Sequence, residues 1–104
     1  MKQILGSMTF GDQVDQETAG EMLAQFTGSG NHEIDTAHIY CEGRTEEMLG
    51  RLLPPAARDK LYIASKVNPW NSDGLKPASV KKQMAEILQR LGTDRLDLLY
   101  LHSP

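Results

Sequence analysis

Short apolar runs of strand type alternate with amphipathic helical runs along the whole chain, and this alternation constrains the fold more than any other feature. Residues 3–8 form a short apolar opening that ends at Thr9-Phe10-Gly11. Asp15 is placed to cap a helix that runs to about Thr27, with Ala19, Met22, Leu23 and Phe26 on its apolar face. Gly28-Ser29-Gly30 stops it. Residues 32–35 have weak strand propensity and read as a strand only from context. A second helix is expected over residues 44–53, with Thr45, Met48, Leu49 and Leu52 inward and Pro54-Pro55 as its stop. Residues 61–67 are near-continuously apolar, as a strand covered on both faces should be. A long loop over residues 68–76 leads to Pro77 at the first position of a third helix. Its stripe is Val80, Met84, Ile87, Leu88 and Leu91, and Gly92 closes it. Residues 96–101 are a fourth buried strand, ending at His102.

The order β-α-β-α-β-α-β implies parallel strands joined by right-handed crossovers. Two architectures of the α/β class fit: an open doubly wound sheet, or the N-terminal half of a (βα)8 TIM barrel. The open sheet would usually carry a glycine-rich phosphate turn after its first strand. The turn here, Gly6-Ser7-Met8-Thr9-Phe10-Gly11, is neither a dinucleotide fingerprint nor a P-loop. A whole barrel needs eight strands and roughly 250 residues, and the 104 residues here supply about four parallel strands and three helices.

Composition excludes several classes. With 39% hydrophobic residues and a net charge of −3, the chain is not of the disordered type. Its basic residues are scattered, so no nucleic-acid stripe forms. Cys41 is the single cysteine, which rules out an internal disulfide and suits a reducing compartment. The opening residues lack the apolar stretch of a signal peptide, and no run is long enough to cross a membrane. The expected location is cytoplasmic.

Asp35, Lys66 and His102 each fall where a strand is expected to end, and Tyr40 lies five residues after Asp35. In parallel α/β proteins the strand ends share one rim, where chemistry is placed. Each residue has a plain alternative: Asp35 as a turn cap, Tyr40 as packing, His102 as a satisfied core histidine. Lys66 is harder to dismiss, because an ammonium at the end of an apolar strand wants an anion such as Asp35. Together the four form a proton-transfer set. A phenol is a weak acid, a nearby cation favours its phenolate, and an imidazole can orient a carbonyl oxygen. The set suits protonation of an oxygen as a carbonyl becomes an alcohol. The matching hydride must come from a nicotinamide or flavin cofactor. Trp70, on the loop after the third strand, is either a substrate wall or an ordinary loop anchor. No metal-ligand spacing is present around His38 and Cys41. Glu46-Glu47 and Lys81-Lys82 read as solvated helix faces.

Four segments carry a family resemblance. Ile34-Asp35-Thr36-Ala37-x-x-Tyr40, Gly43-Arg44-Thr45-Glu46-Glu47-Met48-Leu49-Gly50, Ser65-Lys66-Val67 and Asp97-Leu98-Leu99-Tyr100-Leu101-His102 resemble, in order, the signature segments of aldo-keto reductases. Asn68-Pro69-Trp70 and Leu75-Lys76-Pro77 look closest to the aflatoxin aldehyde reductase subfamily. The resemblance implies a TIM barrel, NADPH, and reduction of aldehydes and ketones to alcohols. It implies Tyr40 as general acid and Lys66 as the cation that tunes it. It also implies Asp35 paired to Lys66 near the nicotinamide ribose, and His102 orienting the substrate carbonyl. Met8 and Thr9 are then candidates for cofactor contact, and Tyr40, His102 and Trp70 for substrate contact.

The C-terminal half of such enzymes, with its pyrophosphate loop and basic residues, has no counterpart here. Residues 1–104 therefore read as a partial NADP-dependent oxidoreductase domain, a fragment with little activity alone. A half-barrel would have two unpaired edges and an uncovered apolar face, which invite self-association. The alternatives are a non-catalytic half-barrel that dimerises or binds a full-length relative, and an unrelated doubly wound binding domain. The latter would set the Asp35 and Lys66 side chains apart.

Overall fold

The structure, a computed structural model, describes residues 3–53, 58–71 and 73–103. Its elements follow the expected alternation: β1 (Ile4–Gly6), α1 (Gln16–Gly28), β2 (Glu33–Asp35), a 3₁₀ turn (Tyr40–Gly43), α2 (Arg44–Leu52), β3 (Tyr62–Val67), α3 (Pro77–Leu91) and β4 (Leu98–Leu101). Local chemistry sets several boundaries. Asp15 Oδ1 accepts the Thr18 amide at 2.8 Å and caps α1. Pro77 opens α3, and Gly92, at φ +65°, closes it. The Pro54-Pro55 stop lies outside the described residues.

All four strands run parallel in the order β1-β2-β3-β4. Among the described residues the order never reverses, so these strands form no switch point of the doubly wound kind. The register pairs Gly6 with Asp35, Asp35 with Ala64, and Ala64 with Leu98. It therefore lines up one inner face across the sheet. This is the N-terminal half of a (βα)8 barrel, and the open-sheet alternative does not hold.

The core lies on the other face. Ile34 and Ile63 pack there with Ala19 and Leu23 of α1, Met48 and Leu49 of α2, and Ile87 and Leu91 of α3. Several fully buried side chains are polar. Thr45 Oγ1 donates to the Phe10 carbonyl at 2.6 Å and ties α2 to the loop after β1. At the lower end of β3 and β4, Arg58 is buried. It donates to the Leu61 and Arg95 carbonyls, each at 2.9 Å, and to Asp97 Oδ2 at 3.1 Å.

Three expectations fail. β4 is not a buried strand: Leu98 and Leu99 are half-buried, and Tyr100 and Leu101 are 48% and 57% exposed. β3 is open only at its start on the inner side, where Tyr62 is 38% exposed while Ala64 stays buried. Apolar runs report strands built to be covered twice, whereas this sheet has helices against one face, and its inner face, with Tyr62, Leu98 and Tyr100, lines an open groove of about 650 Å³. Leu101 pairs with Val67 on the helix side, and its exposure comes from the place of β4 at the sheet edge. Glu46 is not on a solvated face. It is fully buried, because its carboxylate meets Ser65 of β3 and Arg90 of α3. Among the described residues, no helix is long and apolar enough to cross a membrane.

Candidate active site

Asp35 ends β2, Lys66 is the penultimate residue of β3, and His102 follows β4, so all three sit on one rim. Alternation along β3 turns Ile63, Ser65 and Val67 toward the helices and Lys66 toward the inner face, where the register also puts Asp35. Lys66 Nζ donates to Asp35 Oδ2 at 2.8 Å, to the Thr36 carbonyl at 2.8 Å and to Tyr40 Oη at 3.2 Å. The same nitrogen lies 4.9 Å from the centre of the Tyr40 ring. Burial works to lower the Lys66 pKa. The hydrogen bonds to Asp35 and Tyr40, and their charges, outweigh it and hold the ammonium above its ordinary value. Lys66 is thus a fixed cation. Because it donates to Tyr40 Oη, the phenol's own proton is free to point elsewhere.

Tyr40 is presented by an unusual turn. Cys41 (φ 51°), Glu42 (φ 58°) and Gly43 (φ 95°) are three consecutive left-handed residues. Such a conformation costs of order 1–3 kcal/mol for each non-glycine residue and persists only where surroundings enforce it. The His38 amide donates to the Lys66 carbonyl at 3.0 Å and moors this loop to β3. Cys41 Sγ–H reaches the Met8 carbonyl at 3.6 Å.

His102 lies edge-on to Tyr40, with ring centres 5.7 Å apart and planes at 88°. Trp70 also stands against His102, with ring centres 5.1 Å apart and planes at 56°. Burial lowers the His102 pKa, Lys66 lowers it further, and Asp35 only partly opposes them. The imidazole is therefore neutral at neutral pH, and it can donate one hydrogen bond while accepting another. Its Nδ1 is enclosed without a partner among the described residues.

The structure thus gathers Asp35, Tyr40, Lys66, His102 and Trp70. Met8 is 62% exposed and Thr9 half-buried on the loop after β1. Their side chains make no hydrogen bond to the other five among the described residues. His38 lies outside the cluster, with Nε2 3.6 Å from Glu86 Oε2. Burial, then Arg90, lower its pKa against the pull of Glu86. One contributor escaped the sequence reading. Gln83, buried on α3, accepts the Asn68 amide at 2.6 Å and donates to the Asn68 carbonyl at 2.9 Å. Asn68 Oδ1 in turn accepts the Trp70 amide at 2.8 Å. The signal available was its place seven residues before Arg90 and four before Ile87, on the inward stripe, where a polar residue needs a partner.

Among curated proteins, the chain is 41% identical over 103 residues to aflatoxin B1 aldehyde reductase member 2 of Rattus norvegicus. That match covers 97% of this chain and 28% of the relative. It is 42% identical to member 4 from Homo sapiens, with 97% and 31% covered. Among solved structures, a thermostable aldo-keto reductase in complex with the inhibitor epalrestat superposes with a TM-score of 0.85 at 33% identity. The superposition covers 97% of this chain and 38% of that one. An aldo-keto reductase from Klebsiella pneumoniae in complex with NADPH gives a TM-score of 0.79 at 31% identity, with 95% and 34% covered. The chain thus spans about 30% of the length of the curated relatives it matches. Residues 2–104 match the aldo/keto reductase family. That match, with a rim that joins an aspartate, a tyrosine, a lysine and a histidine on a half-barrel, means that this chain belongs to the aldo/keto reductase family.

Proposed function

We propose that residues 1–104 are the proton-donating part of an NADPH-dependent reductase of aldehydes and ketones. The observation that carries this reading is the Lys66 ammonium bonded at once to Asp35 and to the Tyr40 hydroxyl. Tyr40 is the general acid, delivering its proton to the carbonyl oxygen as that oxygen gains charge. Lys66 remains charged and stabilises the tyrosinate left behind. Asp35 holds Lys66 in place. Neutral His102 donates a hydrogen bond that orients the carbonyl, and Trp70 forms an apolar wall beside it. The residues fit the nicotinamide end of the cofactor. Asp35 keeps its side chain 31% exposed at the groove while bonded to Lys66, and can accept a ribose hydroxyl. Met8 and Thr9 are the candidate contacts on the neighbouring loop. When bound, a reduced nicotinamide supplies the hydride that no side chain can.

The test uses the native polypeptide that carries this sequence, purified from its source cells and assayed by loss of nicotinamide absorbance with benzaldehyde. Tyr40→Phe is expected to lower kcat about 10²–10⁴-fold, and Lys66→Met to do the same. Reduction unchanged by either substitution overturns the reading.

A second reading has its own support. Ile4 of β1 is 59% exposed and Leu101 of β4 57% exposed, one on each sheet edge, with Tyr100 beside the groove. Such edges and faces favour self-association, or binding to a full-length relative, without catalysis. Sedimentation separates this case: a polypeptide of 11.6 kDa that runs as a dimer and leaves NADPH unchanged supports it.

A further inference from the structure

A polar network that joins fully buried Glu46 and Ser65 to half-buried Arg90 and Glu86 lies against the Tyr40 turn. Arg90, near the end of α3, sits at its centre. Its Nη1 donates to the His38 carbonyl at 3.0 Å and to Glu46 Oε1 at 3.2 Å, and its Nη2 reaches Glu86 Oε2 at 3.5 Å. The other oxygen of Glu46 accepts the Ser65 hydroxyl at 2.8 Å, one residue before Lys66. The guanidinium also presses on Gly43: a Cβ there would lie 2.7 Å from Arg90 Cζ. Gly50 lets α2 approach so closely that a Cβ would overlap the Arg90 carbonyl oxygen.

These contacts bracket Tyr40. Arg90 bonds the chain two residues before it, at the His38 carbonyl, and packs against it three residues after it, at Gly43. His38 is itself moored to the Lys66 carbonyl. Between the two contacts lie the left-handed Cys41 and Glu42, a conformation that would relax if the contacts were released. A fully buried carboxylate is a poor choice for packing alone, since burial pushes the Glu46 carboxyl up while Ser65 and Arg90 oppose that push. Its geometric effect is to fix the guanidinium plane. The flat guanidinium bonds His38 and Glu46 through Nη1, reaches Glu86 through Nη2 and lies against Gly43, a spread of contacts that the compact ammonium of a lysine does not offer.

We propose that Arg90, held by Glu46, is a positioning residue that fixes both ends of the Tyr40 turn and so sets the phenol against Lys66. The inference rests on the reading of Tyr40 as proton donor. A misplacement of order 1 Å at a reacting group costs about a hundredfold in rate.

The test uses the native polypeptide and the double substitution Glu46→Gln/Arg90→Met, which removes both charges so that neither is left buried alone. Expected are unchanged circular dichroism, a KM within about threefold and a kcat reduced about a hundredfold. The Lys66 titration, followed by NMR of labelled lysine, should move down to match that of Tyr40→Phe, since both lose the phenol contact. Arg90→Lys, which keeps a cation beside Glu46 but loses the fork, should give an intermediate kcat and carries the test if the double variant unfolds. Native kcat and a native Lys66 titration in the folded variant overturn the proposal. Native kcat in Tyr40→Phe instead overturns the reductase reading, and the Lys66 titration then decides the positioning role by itself.

Discussion

Arg58→Met tests the clasp that joins β3 to β4 at the end of the sheet away from the rim. The native guanidinium is 9% exposed and Asp97 is 18% exposed. Removing it takes the hydrogen bonds from the Leu61 and Arg95 carbonyls and leaves Asp97 without its cation. Breaking a buried pair on one side costs about 3–5 kcal/mol. The partial exposure of Asp97 sets the expectation at the lower end, about 3 kcal/mol. With a urea slope of about 1–3 kcal/mol/M, the unfolding midpoint of the native polypeptide should fall by roughly 2 M. The second variant gives the sign that matters. Asp97 Oδ2 also accepts the Ile63 amide at 2.8 Å, so Asp97→Asn keeps an acceptor there while removing the charge. Arg58→Met/Asp97→Asn should therefore be more stable than Arg58→Met alone, by roughly 1–3 kcal/mol. A double variant less stable than the single one would refute the argument, because the cost would then come from lost packing and not from a stranded charge.

Two further outcomes follow from the same structure. His38 and His102 both have pKa values below the ordinary 6.5, first through burial. As pH falls below 6.5 the unfolded chain takes up protons before the folded one, so stability is lost in that window and regained as pH rises. Thermal melts across it should show this slope, and a His38→Asn/His102→Asn variant should flatten it. Thr45→Val keeps the shape of Thr45 but strands the Phe10 carbonyl, at a cost of about 1–3 kcal/mol, whereas Thr45→Ser keeps the bond. Urea titration of the two variants should rank serine well above valine.

The sequence by itself determined the order of elements and the identity of the rim. Val80, Met84, Ile87, Leu88 and Leu91 state a helix through their spacing, and Pro77 and Gly92 state its ends, because these are local properties of backbone and solvent. The weak strand of residues 32–35 was legible only because its neighbours required it. That Asp35 and Lys66 meet followed from their places at parallel strand ends and from the cost of an unpaired ammonium. Tertiary structure decided the rest. Glu46 reads as a surface residue because a helix sequence shows charge but not what faces it. It is buried because Ser65, 19 residues later, and Arg90, 44 residues later, reach it. The same holds for Arg58 with Asp97 and for Gln83 with Asn68, pairs whose partners are set by crossover geometry. The exposure of β4 has the same origin. Its apolar residues state that a strand forms, while burial depends on what lies across the groove and at the sheet edge, which no local pattern encodes.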